Sequence, residues 1–122
     1  MTMHSPPSAP FEPVFTSEEK ATLRGERFVN REFVGVDLSG ADLRDARFER
    51  TIFERCNLEG ADLRSARFVL CELRDVILVD ALLEDSRFDG TTLVDALGLT
   101  NASRVLIEQG GGTFLHAHAS LR

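Results

Sequence analysis

The stretch ADLRDARFERTIFERCNLEG, residues 41–60, carries a leucine or phenylalanine at every fifth position. The same spacing runs without a break from residue 23 to residue 93, and all fifteen of these positions hold Leu or Phe. They are Leu23, Phe28, Phe33, Leu38, Leu43, Phe48, Phe53, Leu58, Leu63, Phe68, Leu73, Leu78, Leu83, Phe88 and Leu93. Two positions earlier in each repeat, every residue from Val36 onward is small or β-branched. Residues 21–95 are therefore a tandem array of five-residue repeats.

A five-residue period fits neither a regular helix nor a regular strand. In an α-helix it would spread apolar residues around the surface, and in a strand an odd repeat breaks the alternation of faces. The last position of most repeats holds Gly, Asn, Asp or Ser, the residues that turns favour; Arg50, Arg55 and Leu70 are the exceptions. The pattern predicts a short extended segment followed by a corner, repeated along the chain.

A longer period of twenty residues is superimposed on the short one. Leu recurs at 23, 43, 63 and 83, and Phe recurs at 28, 48, 68 and 88. Like residues would then stack on like in successive coils of four repeats, about 4.8 Å apart as in a β-sheet. We predict an all-β rod of about four coils, with Leu and Phe filling its axis.

The repeats ADLRD, residues 41–45, and ADLRS, residues 61–65, resemble the pentapeptide-repeat family, whose pattern is A-(D/N)-L-X-X. The resemblance implies a right-handed quadrilateral β-helix in which the central residue and the small residue two before it point inward. Glu26 and Arg31 depart from the pattern because they fill inward positions of the first coil. We expect this coil to be an open end where the two side chains pair or tilt out to solvent.

The segments outside residues 21–95 are predicted to cover the ends of the rod. Residues 1–20 form a Pro-rich leader and N-terminal cap, in which Phe11, Val14 and Phe15 plug the first coil and Thr16 or Ser17 begins a helical turn. Residues 96–109 form a C-terminal cap, which we expect to include a short helix that Asn101 or Ser103 begins and Gly110 ends. In that helix Val105 and Leu106 would lie on the core. The alternative for this region is a dimer contact, which the resemblance to longer gyrase-protecting members of the family suggests.

Residues 110–122 are predicted to be a flexible tail joined through the glycines at 110–112. A docking peptide and an added strand are the alternatives. His116 and His118 lie in this segment, but two imidazoles without neighbouring Cys, Asp or Glu make a weak metal site. We therefore assign neither metal nor cofactor. Cys56 and Cys71 take inward small-residue positions on different sides of the rod, so we predict no disulfide.

Composition restricts the function further. The net charge of −6 disfavours direct nucleic-acid binding, which needs a basic surface. No apolar stretch approaches the roughly 20 residues that span a bilayer, and the N-terminus lacks the features of a secretory signal, so we expect a cytoplasmic protein without membrane contact. The sequence carries no phosphate-binding loop or nucleophile elbow, and a straight column implies no cleft; we predict that the protein is not an enzyme.

The outward positions differ from side to side. The Phe28 side has a net charge of +3, whereas the Phe33 and Leu38 sides each have −3. Two surface features are candidates for interaction. The first is an arginine ladder on the Phe28 side, and the second is an apolar corner. The ladder comprises Arg27, Arg47, Arg67 and Arg87, and the corner comprises Ile77, Val79 and Leu82.

These features support two functional hypotheses. The first is a scaffold or adaptor that binds a protein partner, whose identity the sequence does not give, or forms a homodimer through its C-terminal region. The second follows from the resemblance, since some family members imitate duplex DNA and bind DNA gyrase. The acidic sides favour mimicry, whereas the arginine ladder and the short rod count against it.

Overall fold

The computed structural model describes residues 16–116, which form two helices and eight short parallel strands. The helices are α1 (Ser17–Ala21) and α2 (Asn101–Gln109). The strands are β1 (Arg27–Val29), β2 (Glu32–Val34), β3 (Arg47–Glu49), β4 (Ile52–Glu54), β5 (Arg67–Val69), β6 (Glu72–Arg74), β7 (Thr92–Val94) and β8 (Thr113–Leu115). The predicted plug by Phe11, Val14 and Phe15 lies outside the described residues, as does His118.

The backbone pairs with itself at an offset of twenty residues on four sides. One side is the sheet β1-β3-β5 and the next is the sheet β2-β4-β6-β7-β8, with all pairs parallel. Single bridges join the remaining two sides, for example Asp37 to Asn57 and Asp42 to Asp62. The rod is a right-handed, four-sided β-solenoid, as the sequence predicts.

Each corner is made by a residue in the left-handed region of backbone space. Gly60 has a φ of 69° and Asp45 one of 62°, which Gly and Asp adopt at low cost. The three residues that break the turn pattern adopt the same conformation, since φ is 49° at Arg50 and 54° at both Arg55 and Leu70. The geometry of the solenoid therefore overrides local preference at these three corners.

Stacked Leu and Phe side chains fill the axis. Phe48 and Phe68 stack with ring centroids 4.8 Å apart, and Phe68 and Phe88 repeat this distance with nearly parallel rings. All the central residues are buried except Phe28, which is half-buried in the first coil. Glu26 and Arg31 are exposed there, and the Arg31 guanidinium lies 5.7 Å from the centroid of the Phe28 ring. Of the two expected outcomes, pairing with each other or tilting out to solvent, these side chains adopt the second.

Helix α1 lies at the open end and has a complete capping box. The Glu19 amide donates to the Thr16 hydroxyl at 3.1 Å, and the Thr16 amide donates back to the Glu19 carboxylate at 2.9 Å. The chain then joins the rod, where the Asp42 amide donates to the carbonyl of Lys20 at 3.0 Å.

Helix α2 covers the other end of the rod. Its N-cap is Thr100 rather than Asn101 or Ser103, because the Thr100 hydroxyl accepts from the Ser103 amide. The helix places Ile107, which is fully buried, on the core, and leaves Val105 largely exposed. The sequence prediction of Val105 as a core contact is wrong for this reason, whereas Leu106 packs against the core as expected.

The prediction of a flexible tail differs from the structure over residues 110–116. Strand β8 extends the second sheet, pairing Phe114 with Leu93, so the added strand is the alternative that the structure adopts. The glycines are needed for close packing: a Cβ at Gly112 would lie 2.6 Å from Ile107 Cγ2, and one at Gly110 would lie 2.8 Å from the Ser86 carbonyl oxygen. The Arg104 guanidinium covers the Phe114 ring at 4.1 Å.

Candidate protein-binding surface

The arginine ladder is present as the sequence places it. Backbone pairing sets Arg27 beside Arg47, Arg47 beside Arg67 and Arg67 beside Arg87, one above the other on a single side. All four side chains are exposed. The sheet therefore holds a row of guanidinium groups at the spacing of neighbouring strands, about 4.8 Å.

The members of the ladder differ in their acidic partners. Glu49 lies 3.1 Å from Arg27 and 3.4 Å from Arg47, and it bridges the two. Asp89 accepts from Arg87 at 2.8 Å. The outward residue two positions after Arg67 is Val69, and within residues 16–116 no carboxylate lies at ion-pair distance from Arg67. Arg67 therefore has a cationic head that the rod itself leaves uncompensated.

Acidic side chains on the Leu43 side are closely held by arginines of the same repeat. Arg44 donates to both oxygens of Asp42 at 2.9 Å, and this hydrogen bonding lowers the pKa of Asp42 to about 2. Arg64 forms the same fork with Asp62, at 2.8 and 2.6 Å, and likewise lowers the pKa of that carboxyl. The two-residue spacing within a repeat thus builds bidentate pairs along the rod.

The Phe33 and Leu38 sides are acidic in sequence, but several of their carboxylates are also paired. Glu54 contacts Arg55 at 3.0 Å, and Glu72 accepts from Arg74 at 2.8 Å. Asp37 lies 3.5 Å from Lys20 of helix α1. The net charge of a side therefore overstates the free negative charge that a partner would meet.

The apolar corner is only partly open. Leu82 is 42% exposed, but Ile77 and Val79 are intermediate in exposure. Gly98 packs directly on Val79, because a Cβ there would lie 2.3 Å from Val79 Cγ2. The chain leading to α2 covers part of this corner, and Leu97, bridged to Ile77, becomes its most exposed member.

A further apolar surface lies at the corner between the two sheets; the sequence indicates Leu70 and Val69 as outward apolar residues there, but not the groove around Leu70. Leu70 is 55% exposed, Ile52 36% and Leu115 52%, and with Arg50 they line an open groove of about 480 Å³. The signal in the sequence was that Arg50 and Leu70 break the turn-residue pattern at consecutive levels of one corner. The contribution of Leu115 was not visible, because it depends on the pairing of β8 with β7.

The interior offers no reactive group on the described part of the chain. Cys56 and Cys71 are buried and unlinked, and each thiol lies 3.2 Å from a backbone carbonyl oxygen of the preceding coil. Burial raises the pKa of both thiols, which keeps them protonated. His116 lies 3.6 Å from Asp95, and residues 16–116 contain no cluster of three or more metal-binding side chains. Neither α1 nor α2 is long and apolar enough to cross a bilayer.

The repeats are similar to those of known proteins. Residues 32–68 match the family model of pentapeptide repeats, in eight copies, and a search of curated proteins finds no match. Among solved structures, a pentapeptide repeat protein from the Arabidopsis thaliana thylakoid lumen is 17% identical, with 71% of this chain and 63% of that chain covered and a TM-score of 0.43. One from the cyanobacterium Cyanothece 51142 is 21% identical, with 60% of each chain covered and a TM-score of 0.39.

A third similar structure is trypsin-treated QnrB1, a plasmid-mediated fluoroquinolone resistance protein, at 16% identity. Here 84% of this chain and 90% of that chain are covered, with a TM-score of 0.36. The present chain spans about three fifths of the length of the first two structures. The match to the family model and the stacked five-residue coils lead to one conclusion: residues 32–68 are pentapeptide repeats.

Proposed function

We propose that this protein is a non-enzymatic scaffold that binds another protein through the outward side chains of its rod. The observation that carries the proposal is the fixed register of those side chains. Every outward position recurs one coil later on the same side, held by parallel backbone pairing around a core of buried Leu and Phe. Such a surface loses little conformational freedom when a partner docks, which favours binding.

The charge pattern supports a protein partner. Bidentate Asp–Arg pairs keep much of the Leu43 side locally neutral, while the arginine ladder leaves Arg67 without an acid. A surface of this kind offers discrete contacts to a folded partner or a peptide rather than one continuous field. A homodimer through the C-terminal region stays a prediction, to be tested by the mass of the protein in solution.

Affinity capture from cells that carry the protein at its natural level tests the scaffold. We expect a stable protein partner to be recovered with the full chain, identified by mass spectrometry and reconstituted from purified components. A chain ending at His116 is the informative truncation, since it keeps β8 on β7 whereas a cut at residue 109 opens the core. Failure to recover a partner with either form would contradict the proposal.

Imitation of duplex DNA toward gyrase is the second candidate. The observation that favours it is the Leu38 side, whose outward positions include Asp37, Glu59 and Asp80 and no arginine. The pairing of Asp37 with Lys20 weakens this support. A gyrase supercoiling assay with and without the protein, together with its solution mass, discriminates the two candidates. A monomer without effect on supercoiling eliminates the mimic and leaves the scaffold untouched.

A further inference from the structure

Two large side chains occupy consecutive levels of one corner where the backbone favours glycine. The corner column runs Asn30, Arg50, Leu70 and Gly90, and all four have positive φ. Asn and Gly adopt this conformation readily, whereas Arg and Leu carry a cost of about 1–2 kcal/mol per residue from the Cβ. The middle of this column therefore bears residues that the fold alone would not select.

The two side chains gain little within the rod to offset that cost. Leu70 lies against Gly90, where a Cβ would be 2.8 Å from Leu70 Cδ2, yet more than half of the leucine remains exposed. Arg50 is exposed, and within residues 16–116 no carboxylate lies at ion-pair distance from it. Backbone strain retained for exposed side chains is typical of positions that serve binding.

The surroundings of this column make a groove with apolar walls. Ile52 from β4, Leu70 from the corner and Leu115 from β8 are its exposed apolar side chains. Arg50 lies at the rim. A groove of about 480 Å³ is large enough for one or two aliphatic side chains of a ligand.

Positive charge lies along one border of the groove. Arg67 and Leu70 belong to the same coil. Arg67 begins strand β5 on one side of the rod, and Leu70 is the corner residue directly after that strand. Like Arg50, Arg67 lacks an acidic partner on the described chain, whereas Arg47 and Arg87 each have one. The two uncompensated arginines of this region thus flank the same exposed leucine.

We infer that this surface, the Leu70 edge (Arg50, Ile52, Arg67, Leu70 and Leu115), binds an extended acidic segment of a partner protein that inserts an aliphatic side chain into the groove. The inference rests on the proposed scaffold function and names the chemistry of its partner. Carboxylates of the segment complement Arg50 and Arg67, and guanidinium groups suit forked contacts to them. Nucleic acid is the poorer occupant, because a phosphate backbone needs a continuous row of cations, whereas this groove has apolar walls and two arginines that are unpaired within residues 16–116.

Selection of peptides from a random dodecamer library on the full-length protein tests the inference. We expect the selected peptides to be enriched in Asp and Glu around a Leu, Ile or Val, and to bind with an affinity measurable by fluorescence polarisation. Arg67→Gln should weaken the binding about tenfold, since one charge-assisted contact is lost. Leu70→Asn introduces a residue that tolerates positive φ but removes the aliphatic side chain, so it should weaken the binding by a similar factor.

Matched controls come from the same rod. Arg87→Gln removes the same charge from the same ladder, one coil away and already paired with Asp89, and should change the affinity less than twofold. Leu82→Asn removes an exposed leucine of similar accessibility on another side and should leave the affinity unchanged. Circular dichroism of each variant verifies that the rod is folded.

Three results would overturn the inference. The first is a selection that yields no peptides, or peptides without acidic enrichment. The second is an equal effect of Arg67→Gln and Arg87→Gln on the affinity. The third is a change of solution mass in Leu70→Asn, which would make a second copy of the chain the occupant. The scaffold proposal is tested separately, by capture of a natural partner. If Leu70→Asn and Arg67→Gln each capture the natural partner as well as the unmodified protein does, the rod is a scaffold but the Leu70 edge is not its site.

Discussion

At the scale of single residues, the left-handed corner is the conformation that every repeat has in common. The fifth residue has a positive φ in each repeat from Gly25 to Asp95, whatever its side chain. At Gly60 a Cβ would meet no atom within 4 Å, so the backbone alone sets the preference for glycine there. The corner at Arg50, φ 49°, has the same conformation with an unfavourable residue.

Substitutions at these two corners should have opposite effects on stability. We expect Gly60→Ala to lower the free energy of unfolding by about 1–2 kcal/mol, because alanine must adopt a positive φ. Arg50→Asn should raise it by about 0.5 kcal/mol, because asparagine tolerates this conformation better. Urea titration followed by circular dichroism measures both changes. A neutral Gly60→Ala would show that the corner adapts without strain.

The pair of Asp42 with Arg44 gives the fold a defined response to acid. The pKa of Asp42 falls from 3.8 to about 2 because Arg44 donates to the carboxylate. The unfolded chain therefore binds the proton more tightly than the folded one. The stability from this pair is therefore present above pH 3.8 and is lost as the pH falls toward 2. We expect Asp42→Asn to flatten the pH dependence of unfolding in that window. Arg44→Gln removes the donor and should flatten the dependence in the same window; an unchanged slope in both variants would contradict the prediction.

At the scale of elements, the ends of the rod depend on segments outside the repeats. Helix α2 and strand β8 act together, since the Phe88 amide donates to the Gly110 carbonyl oxygen at 2.8 Å and the Asp95 amide donates to that of Leu115 at 3.0 Å. Ile107, Leu106 and Phe114 pack against the core. The cap is thus hydrogen-bonded to the solenoid and shares its core.

The contribution of α2 can be measured by one pair of variants. We expect Ile107→Ala to lower the free energy of unfolding by about 2–5 kcal/mol, because Ile107 is fully buried between the helix and the last coil. Val105→Ala lies two residues away on the exposed face and should change it by about 0.5 kcal/mol or less. Equal losses in denaturant titrations would contradict the orientation of the helix.

At the scale of the whole molecule, parallel pairing leaves an edge at each end of both sheets. The last edge of the second sheet is β8, whose Phe114 pairs with Leu93 of β7. Without β8, the backbone of Thr92–Val94 would lack a partner on that side. An unpaired edge beside exposed core side chains promotes association between chains.

Two truncations should therefore behave differently in solution. We expect a chain ending at Gln109 to associate, because it lacks β8 and uncovers Leu93. A chain ending at His116 keeps β8 and should have the same oligomeric state as the full chain. Size-exclusion chromatography with light scattering measures both. An unchanged mass for the shorter chain would show that β8 is dispensable as an edge cover.

The sequence by itself determined the interior of the coil, because each repeat sets its own corner and its own inward Leu or Phe, and a period of twenty stacks identical residues such as Phe48 on Phe68. It also placed the arginine ladder in register, since that follows from the same period. The tertiary structure alone decided that residues 113–115 close the rod, that Ile107 rather than Val105 is buried, and that Glu49 also reaches Arg27 of the preceding coil. The physical reason is one of range. The repeat, and the ion pairs formed within it, are local properties of every five residues, whereas caps and grooves arise between segments that only the winding of the chain brings together.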